Sequence, residues 1–73
     1  PRAEVTVVVE YSAVTPTQLL LPHYEAEILG RQFEADATFH LRLPLEQVQP
    51  FSAAVIELTN GLALVEVTRQ DTA

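Results

Sequence analysis

The sequence predicts an α+β domain in which a four-stranded antiparallel sheet carries two helices on one of its faces. Three observations support this fold class. β-Branched runs alternate with the two-residue period of strands, two apolar patterns recur at helical spacing, and Asn60-Gly61 forms a strong helix stop. The predicted order is strand, helix, strand, strand, helix, strand. This βαββαβ order is the split βαβ arrangement of a ferredoxin-like two-layer sandwich.

The first predicted strand is Val5–Tyr11, a β-branched and aromatic run. Its side chains alternate between the two faces of the sheet, as in any strand. We expect four of them to point toward the core: Val5, Val7, Val9 and Tyr11. The other three lie on the opposite face: Thr6, Val8 and Glu10.

A short helix is predicted to begin at Thr15. Thr15 can act as the N-cap, Pro16 suits the first helical position, and Gln18 stands three residues after the cap, as in a capping box. Pro22 is unfavourable inside a helix, so we expect the helix to end over residues 21–24. The predicted core contacts of this helix are Leu19, Leu20 or both.

The middle of the chain predicts a β-hairpin. Its register can be checked by whether the paired residues have matching chemistry on each face. If Glu34-Ala35 forms the turn, residues whose numbers sum to 69 are partners. One face then pairs Ile28 with Leu41 and Gly30 with Phe39. The other face pairs Arg31 with Thr38, Leu29 with His40, and Glu27 with Arg42. Because Glu-Ala lacks the Gly or Asn that a two-residue turn prefers, a longer loop over residues 34–36 is the alternative.

The second helix is predicted from apolar residues at helical spacing, after Pro44 ends the third strand. These residues are Val48, Phe51, Val55 and Leu58. Pro50 interrupts the pattern, so either the helix bends there, or residues 45–49 form a separate turn and the helix begins at Pro50. A final strand is predicted over Leu62–Thr68, with Arg69–Ala73 as a frayed tail.

Composition bounds the class of protein. Seventy-three residues make one domain, and because the chain begins at Pro1 we expect a C-terminal fragment of a longer protein. Ten acidic and four basic residues give a net charge of −6, which repels a phosphate backbone. The absence of cysteine excludes disulfides and zinc–thiolate sites and fits a cytoplasmic protein. No apolar run approaches the roughly 20 residues of a membrane span, so no membrane partner is expected.

Residue patterns predict no catalytic, cofactor or metal site. His23 and His40 lack metal-ligand spacing such as HExxH. Four carboxylates cluster around the hairpin: Glu25, Glu27, Glu34 and Asp36. Acid–base catalysis by paired carboxylates requires a cleft that makes their pKa values differ, and an exposed hairpin tip offers no such cleft. The two glycines are explained by the hairpin and the helix stop, which leaves no phosphate-binding loop. We therefore expect a protein that is not an enzyme.

The candidate binding surface is the sheet face that the helices leave open. Four hairpin residues are predicted to share it: Arg31, Thr38, His40 and Arg42. Leu29 and Val8 are its predicted apolar neighbours and Phe33 its one aromatic residue. Basic residues beside a stacking aromatic are typical of RNA-binding sheets. The alternative, which we favour, is an ordinary polar sheet surface partly covered by another domain.

Three segments of the chain resemble a known family. They are VVVEYS near the start, ILGRQFEADATFHLRLP in the middle and ELTNG at the end of the second helix. The match is carried by Phe33, Ala35, Asp36, Leu41–Pro44, Phe51 and Leu58–Gly61. These motifs span nearly the whole chain and resemble the C-terminal domain of the IMPACT/YigZ family. The resemblance implies a ferredoxin-like domain related in fold to the last domain of elongation factor G.

The resemblance also implies a role. Such a domain normally follows a larger N-terminal domain, and bacterial members are thought to act in translation-linked regulation through ribosome or nucleic-acid binding. We therefore expect a non-catalytic accessory domain whose partners are the parent's N-terminal domain and a ribosome or RNA. The alternative is a small-molecule-sensing regulatory domain of the same βαββαβ type. Such modules bind ligand near a Gly-containing strand–helix loop, whereas residues 12–15 contain no Gly.

Overall fold

The computed structural model describes residues 1–71 and confirms the predicted fold class. The elements are β1 (Arg2–Val9), α1 (Val14–Leu20), β2 (Glu27–Phe33), β3 (Ala37–Pro44), α2 (Val48–Leu58) and β4 (Leu64–Asp71). Short 3-10 turns occupy Tyr11–Ala13, Leu21–Tyr24 and Leu45–Gln47. The antiparallel sheet has the order β2-β3-β1-β4, which is the ferredoxin-like arrangement.

The core lies between the two central strands and the helices. Every second residue of β1 and β3 is buried, which confirms the predicted alternation: Ala3, Val5, Val7, Val9, Ala37, Phe39, Leu41 and Leu43. Phe51 and Val55 of α2 close the core from the helical layer. The prediction for Tyr11 was wrong, because this residue lies in a 3-10 turn beyond β1 and is 50% exposed.

The beginning of α1 differs from the prediction, and its predicted core contacts are confirmed for Leu20 but not for Leu19. The helix begins at Val14, and the Ala13 N–H already bonds the Glu10 carbonyl, so Thr15 lies inside the first turn and is not the cap. Leu19 is 69% exposed and Leu20 only partly buried, whereas Thr17 and Leu21 are buried. Residues four apart share a helix face. Thr17 and Leu21, the first residue of the turn that follows α1, are therefore buried together against the sheet.

The hairpin has the longer of the two predicted connections, and it keeps the predicted pairing only at the end away from the loop. Its connection is the longer loop over residues 34–36, in which the Glu34 N–H bonds the Asp36 carbonyl at 3.1 Å. The predicted pairs Ile28–Leu41 and Glu27–Arg42 are confirmed.

Beyond Ile28 the predicted hairpin register was wrong by one residue. The pairing of β2 with β3 shifts between Ile28 and Gly30, which leaves Leu29 as the extra residue of a β-bulge. Gly30 therefore pairs with His40 and not with Phe39. Phe39 pairs with Arg31. The three-residue loop requires this shift, because it adds one residue to the connection.

The beginning of α2 follows the second of the two alternatives for Pro50, except that the helix begins two residues before Pro50. A separate turn over Leu45–Gln47 precedes the helix, which begins at Val48. Pro50 therefore lies in the first turn, where its missing N–H removes no intrahelical hydrogen bond. The predicted stop is confirmed, because Asn60 and Gly61 have φ values of 55° and 82°.

The last strand is displaced from its predicted position. Leu62 still belongs to the turn, where its N–H bonds the Thr59 carbonyl at 3.1 Å, and β4 begins at Leu64. The strand runs to Asp71, so the frayed tail was a wrong prediction for residues 69–71; residues 72 and 73 lie outside the described part. Because β1 already begins at Arg2, it supplies pairing partners as far as Asp71.

We expect Leu41→Ala to lower the free energy of unfolding by roughly 2–5 kcal/mol, because it removes a fully buried side chain and leaves a cavity. Leu19→Ala is the matched control, since Leu19 is mostly exposed, and should change stability by no more than about 0.5 kcal/mol. Urea denaturation followed by circular dichroism measures both. Equal effects of the two substitutions would contradict the placement of α1.

The two glycines should respond oppositely to alanine. Gly61→Ala places a side chain at positive φ and should destabilise by about 1–2 kcal/mol, although no atom lies within 4 Å of the added Cβ. At Gly30 the added Cβ meets only Cδ2 of His40 at 3.7 Å, so alanine should stabilise by about 0.4–1 kcal/mol. Thermal unfolding of both variants distinguishes strain from crowding. A loss of stability at Gly30 and none at Gly61 would reverse this assignment.

Candidate functional site

The candidate site is the open face, defined as the sheet surface opposite the helices. Side chains of paired residues share a face, so the buried residues of β1 and β3 identify those on the other side. The open face contains Glu4, Thr6 and Val8 of β1, Thr38, His40 and Arg42 of β3, Leu64, Glu66 and Arg69 of β4, and Glu27, Gly30 and Gln32 of β2.

The structure brings three of the four predicted site residues together and separates the fourth. Thr38, His40 and Arg42 are alternate residues of β3 and lie on the open face. Arg31 pairs with the buried Phe39 and therefore lies on the side of the helices. The bulge at Leu29 causes this difference, because it reverses the faces of every later residue of β2.

Phe33 is also absent from the open face. It pairs with Ala37, a buried residue, and its ring lies edge-on to Phe39 with centroids 6.2 Å apart. Tyr11 makes a similar contact with Phe33, and its hydroxyl donates to the Glu34 carbonyl. These aromatic rings hold the hairpin against the core. The predicted aromatic residue for base stacking therefore lies on the other side of the sheet.

The His40 side chain links three strands across the open face. Its Nδ1 lies 3.2 Å from Thr6 Oγ1, and its Nε2 lies 3.4 Å from Gln32 Oε1. An amide oxygen only accepts, so the contact with Gln32 requires a proton on Nε2, whereas the Thr6 hydroxyl can either donate to Nδ1 or accept from it. The ring packs beside Gly30, where an added Cβ would make an ordinary contact with Cδ2 at 3.7 Å. These neutral partners orient the imidazole but do not form the His–carboxylate pair of a catalytic triad.

One end of the open face carries most of the basic residues. Arg42 donates to Glu27 Oε1 from Nε at 3.1 Å and from Nη2 at 2.7 Å. Arg2, Glu4 and Arg69 line the same open cavity. The Arg42 and Glu27 side chains are 44% and 59% exposed, so this pair contributes little stability. Charges of both signs alternate here, and the surface is not a basic patch.

Sequence reasoning missed Arg2 and Arg69 as part of this surface. Both lie near the ends of the chain, where polar residues are usually frayed. The sequence signal that could have found them is the length of β1. A longer β1 offers hydrogen-bonding partners to more residues of β4, so both strands are expected to continue toward the chain ends. With β1 beginning at Arg2, the last strand has partners through Asp71.

A second concavity lies at the opposite side of the molecule, beside the loop between β1 and α1. It has a volume of about 200 Å³ and is lined by Glu10, Ser12, Pro16, Leu58, Asn60 and Leu62, among others. Among residues 1–71, no three His, Asp or Glu side chains are grouped so that they could hold a metal ion. None of the helices in this part of the chain has the length and apolarity needed to cross a membrane.

Solved structures share this fold over nearly the whole chain. A crystal structure of a hypothetical protein superposes with a TM-score of 0.85 at 24% identity, covering 97% of this chain and 34% of its own. A crystal structure of a protein from Thermus thermophilus gives 0.82 at 24% identity, covering 97% and 11%. The chain thus spans about a third or less of these two proteins. At this identity the likeness establishes the fold.

Comparison of sequences identifies the family. No curated protein matches the chain. The model of a domain of unknown function, DUF1949, matches residues 7–62, which include β2, β3 and both helices. Because this match covers most of the sequence, the chain belongs to the DUF1949 family, the C-terminal domain of IMPACT/YigZ proteins.

Proposed function

We propose that this chain is a non-catalytic interaction domain that docks through its open face onto the N-terminal domain of an IMPACT/YigZ-like protein. The observation that carries the proposal is the one-sided architecture. Both helices pack on the same face of the sheet, and within residues 1–71 no second layer covers the opposite face. Such a face is suited to contact another domain.

The chemistry of the open face supports docking to protein. Its less charged half presents Val8 beside Leu64, which is 67% exposed, together with the Thr6 and Thr38 hydroxyls, and Glu66 lies beside Thr6. Its other half has paired charges of both signs. An apolar area beside polar and charged residues is typical of interfaces between domains.

The proposed setting is a longer cytoplasmic protein that acts in translation-linked regulation. The matched solved chains are several times longer than this domain, which supports an arrangement with further domains. The resemblance to the last domain of elongation factor G supports a ribosome as a second partner. Direct RNA binding has less support, because the chain carries a net charge of −6, Arg42 is paired with Glu27, and Arg31 and Phe33 lie on the other face.

A second candidate function is the sensing of a small molecule. The observation in its favour is the concavity beside Ser12, at the strand–helix loop where related βαββαβ modules bind ligands. Its lining contains no basic residue, which favours a neutral or cationic ligand over a phosphate. We expect no thermal stabilisation of the chain by amino acids or nucleotides if docking is the function. Reproducible stabilisation by one metabolite, lost in Ser12→Trp, would favour the sensing function instead.

The docking proposal predicts that Thr38→Arg weakens association with the N-terminal part of the parent protein by about tenfold or more. The substitution places a positive charge beside the apolar Val8 and Leu64, since Thr38 pairs with Val8 and Val8 pairs with Leu64. Arg31→Glu is the control, because Arg31 lies on the other face and its replacement should have no effect. Isothermal titration calorimetry of the two separately produced parts measures both.

Ribosome association gives a second readout in the complete parent protein. Deletion of residues 1–73 should reduce co-sedimentation with ribosomes, and Thr38→Arg should reproduce the loss. Unchanged association after both changes, together with no calorimetric effect of Thr38→Arg, would contradict the proposal. Binding that falls steeply with salt and is abolished by Arg42→Glu would instead indicate a phosphate backbone as the partner.

A further inference from the structure

The outer edge of β4 has a self-complementary pattern of charge. β4 is an edge strand of eight residues, and β1 is its neighbour within the described part of the chain. Edge strands expose N–H and C=O groups that can pair with another strand. Glu66 and Arg69 are exposed on this strand, and neither forms an ion pair within residues 1–71.

A β-bulge places these two charges on the same face. The pairing of β4 with β1 shifts between Glu4 and Val5, which leaves Thr68 as the extra residue. Three residues apart, Glu66 and Arg69 would face opposite sides of a regular strand. Because of the bulge, Glu66 pairs with Thr6 and Arg69 with Glu4, both residues of the open face.

The same bulge makes one antiparallel register of β4 with a second β4 consistent for every pair except the central one, in which Val67 lies opposite the bulge residue Thr68. When residue numbers of the two copies sum to 135, the whole of Leu64–Asp71 overlaps. Leu64 then lies opposite Asp71 and Val65 opposite Gln70, and in each pair both residues belong to the same face. Glu66 of each copy lies opposite Arg69 of the other, which gives two oppositely charged pairs around a two-fold axis.

The other edge strand lacks this property. In β2, Glu27 and Arg31 are the charged residues, but the bulge at Leu29 places Glu27 on the open face and Arg31 on the other. Glu27 is also engaged by Arg42. A second copy of β2 therefore cannot bring these two charges opposite each other on one face.

Exposed apolar residues accompany the charges of β4. Leu64 and Leu62 are each 67% exposed, and Val67 is 39% exposed. Pairing with a second copy would cover part of this surface, and Val67 would lie beside the two-fold axis. The register that pairs Glu66 with Arg69 therefore also buries part of this exposed apolar surface.

We infer that a second copy of this chain binds at the β4 edge, in the antiparallel register that places Glu66 opposite Arg69 and joins the two sheets into one of eight strands. This interface lies at the β4 edge, whereas the proposed docking uses the open face, and the two surfaces share Leu64. The charges select the register, since a shift along the edge would break both pairs.

The test is the oligomeric state of the 73-residue chain, which has a closed core of its own. Sedimentation equilibrium over a range of micromolar concentrations should show a monomer–dimer equilibrium. Glu66→Arg and Arg69→Glu each place like charges opposite one another twice, so each should weaken dimerisation by about tenfold or more. An equimolar mixture of these two variants should form heterodimers, and the variant with both reversals should dimerise like the original chain.

Two controls match the changes in net charge. Glu34→Arg at the hairpin loop and Arg31→Glu on β2 carry the same charge changes at the far side of the sheet and should leave dimerisation unchanged. Circular dichroism verifies that each variant is folded. A chain that stays monomeric throughout the concentration range overturns the inference. Dimerisation that the single reversals leave intact, or that mixing them does not restore, overturns it as well.

Discussion

The pairing of β1 with β3 is the constraint on which the rest of this structure depends. Both strands are central, and every second side chain of each is buried against the helices. A shift of one residue in this pairing would turn the apolar set toward solvent and the polar set toward the core. The uninterrupted eight-pair register from Arg2–Pro44 to Val9–Ala37 reflects that cost.

The edge strands are under a weaker constraint, and this difference explains which parts of the sequence were predictable. Within β1 and β3 alternation identified the inward-pointing residues, because a neighbour on each side and a covered face fix which residues point inward, although it wrongly extended β1 to Tyr11. In β2 and β4 one edge is open, and each accommodates a bulge, at Leu29 and at Thr68. The alternation of apolar and polar residues does not show where a bulge inserts its additional residue. The lack of Gly in the Glu34-Ala35 turn was the one local sign that the simple hairpin register would fail.

Local signals competed at the helix termini. The Thr15–Gln18 capping pattern was chemically sound, but the 3-10 turn over Tyr11–Ala13 satisfies the first backbone groups earlier and the helix begins before the predicted cap. At the end of α2 the signals agreed. Asn60 and Gly61 both adopt positive φ, and the Gly61 N–H bonds the Ile56 carbonyl at 2.8 Å. The end of α2 was predicted correctly because the residue types and the backbone hydrogen bonds there favour the same conformation.

The bulges connect this difference to the candidate surfaces. One bulge removes Arg31 from the open face and leaves His40, Thr38 and Arg42 on the surface that we propose as the docking surface. The other aligns Glu66 with Arg69 along the edge of β4. In both strands, the surface chemistry depends on a bulge beside the uninterrupted β1–β3 pair. The proposed interactions are therefore consequences of backbone geometry, and composition alone does not indicate them.

Native-state hydrogen exchange of the 73-residue chain tests the central claim most directly. If the β1–β3 pair holds the fold together, the hydrogen-bonded amides between these two strands should exchange only through global unfolding, at the free energy that denaturation measures. Amides at the outer edges of β2 and β4 should exchange through smaller, local openings. Central amides that exchange as readily as those of the edge strands would contradict the account.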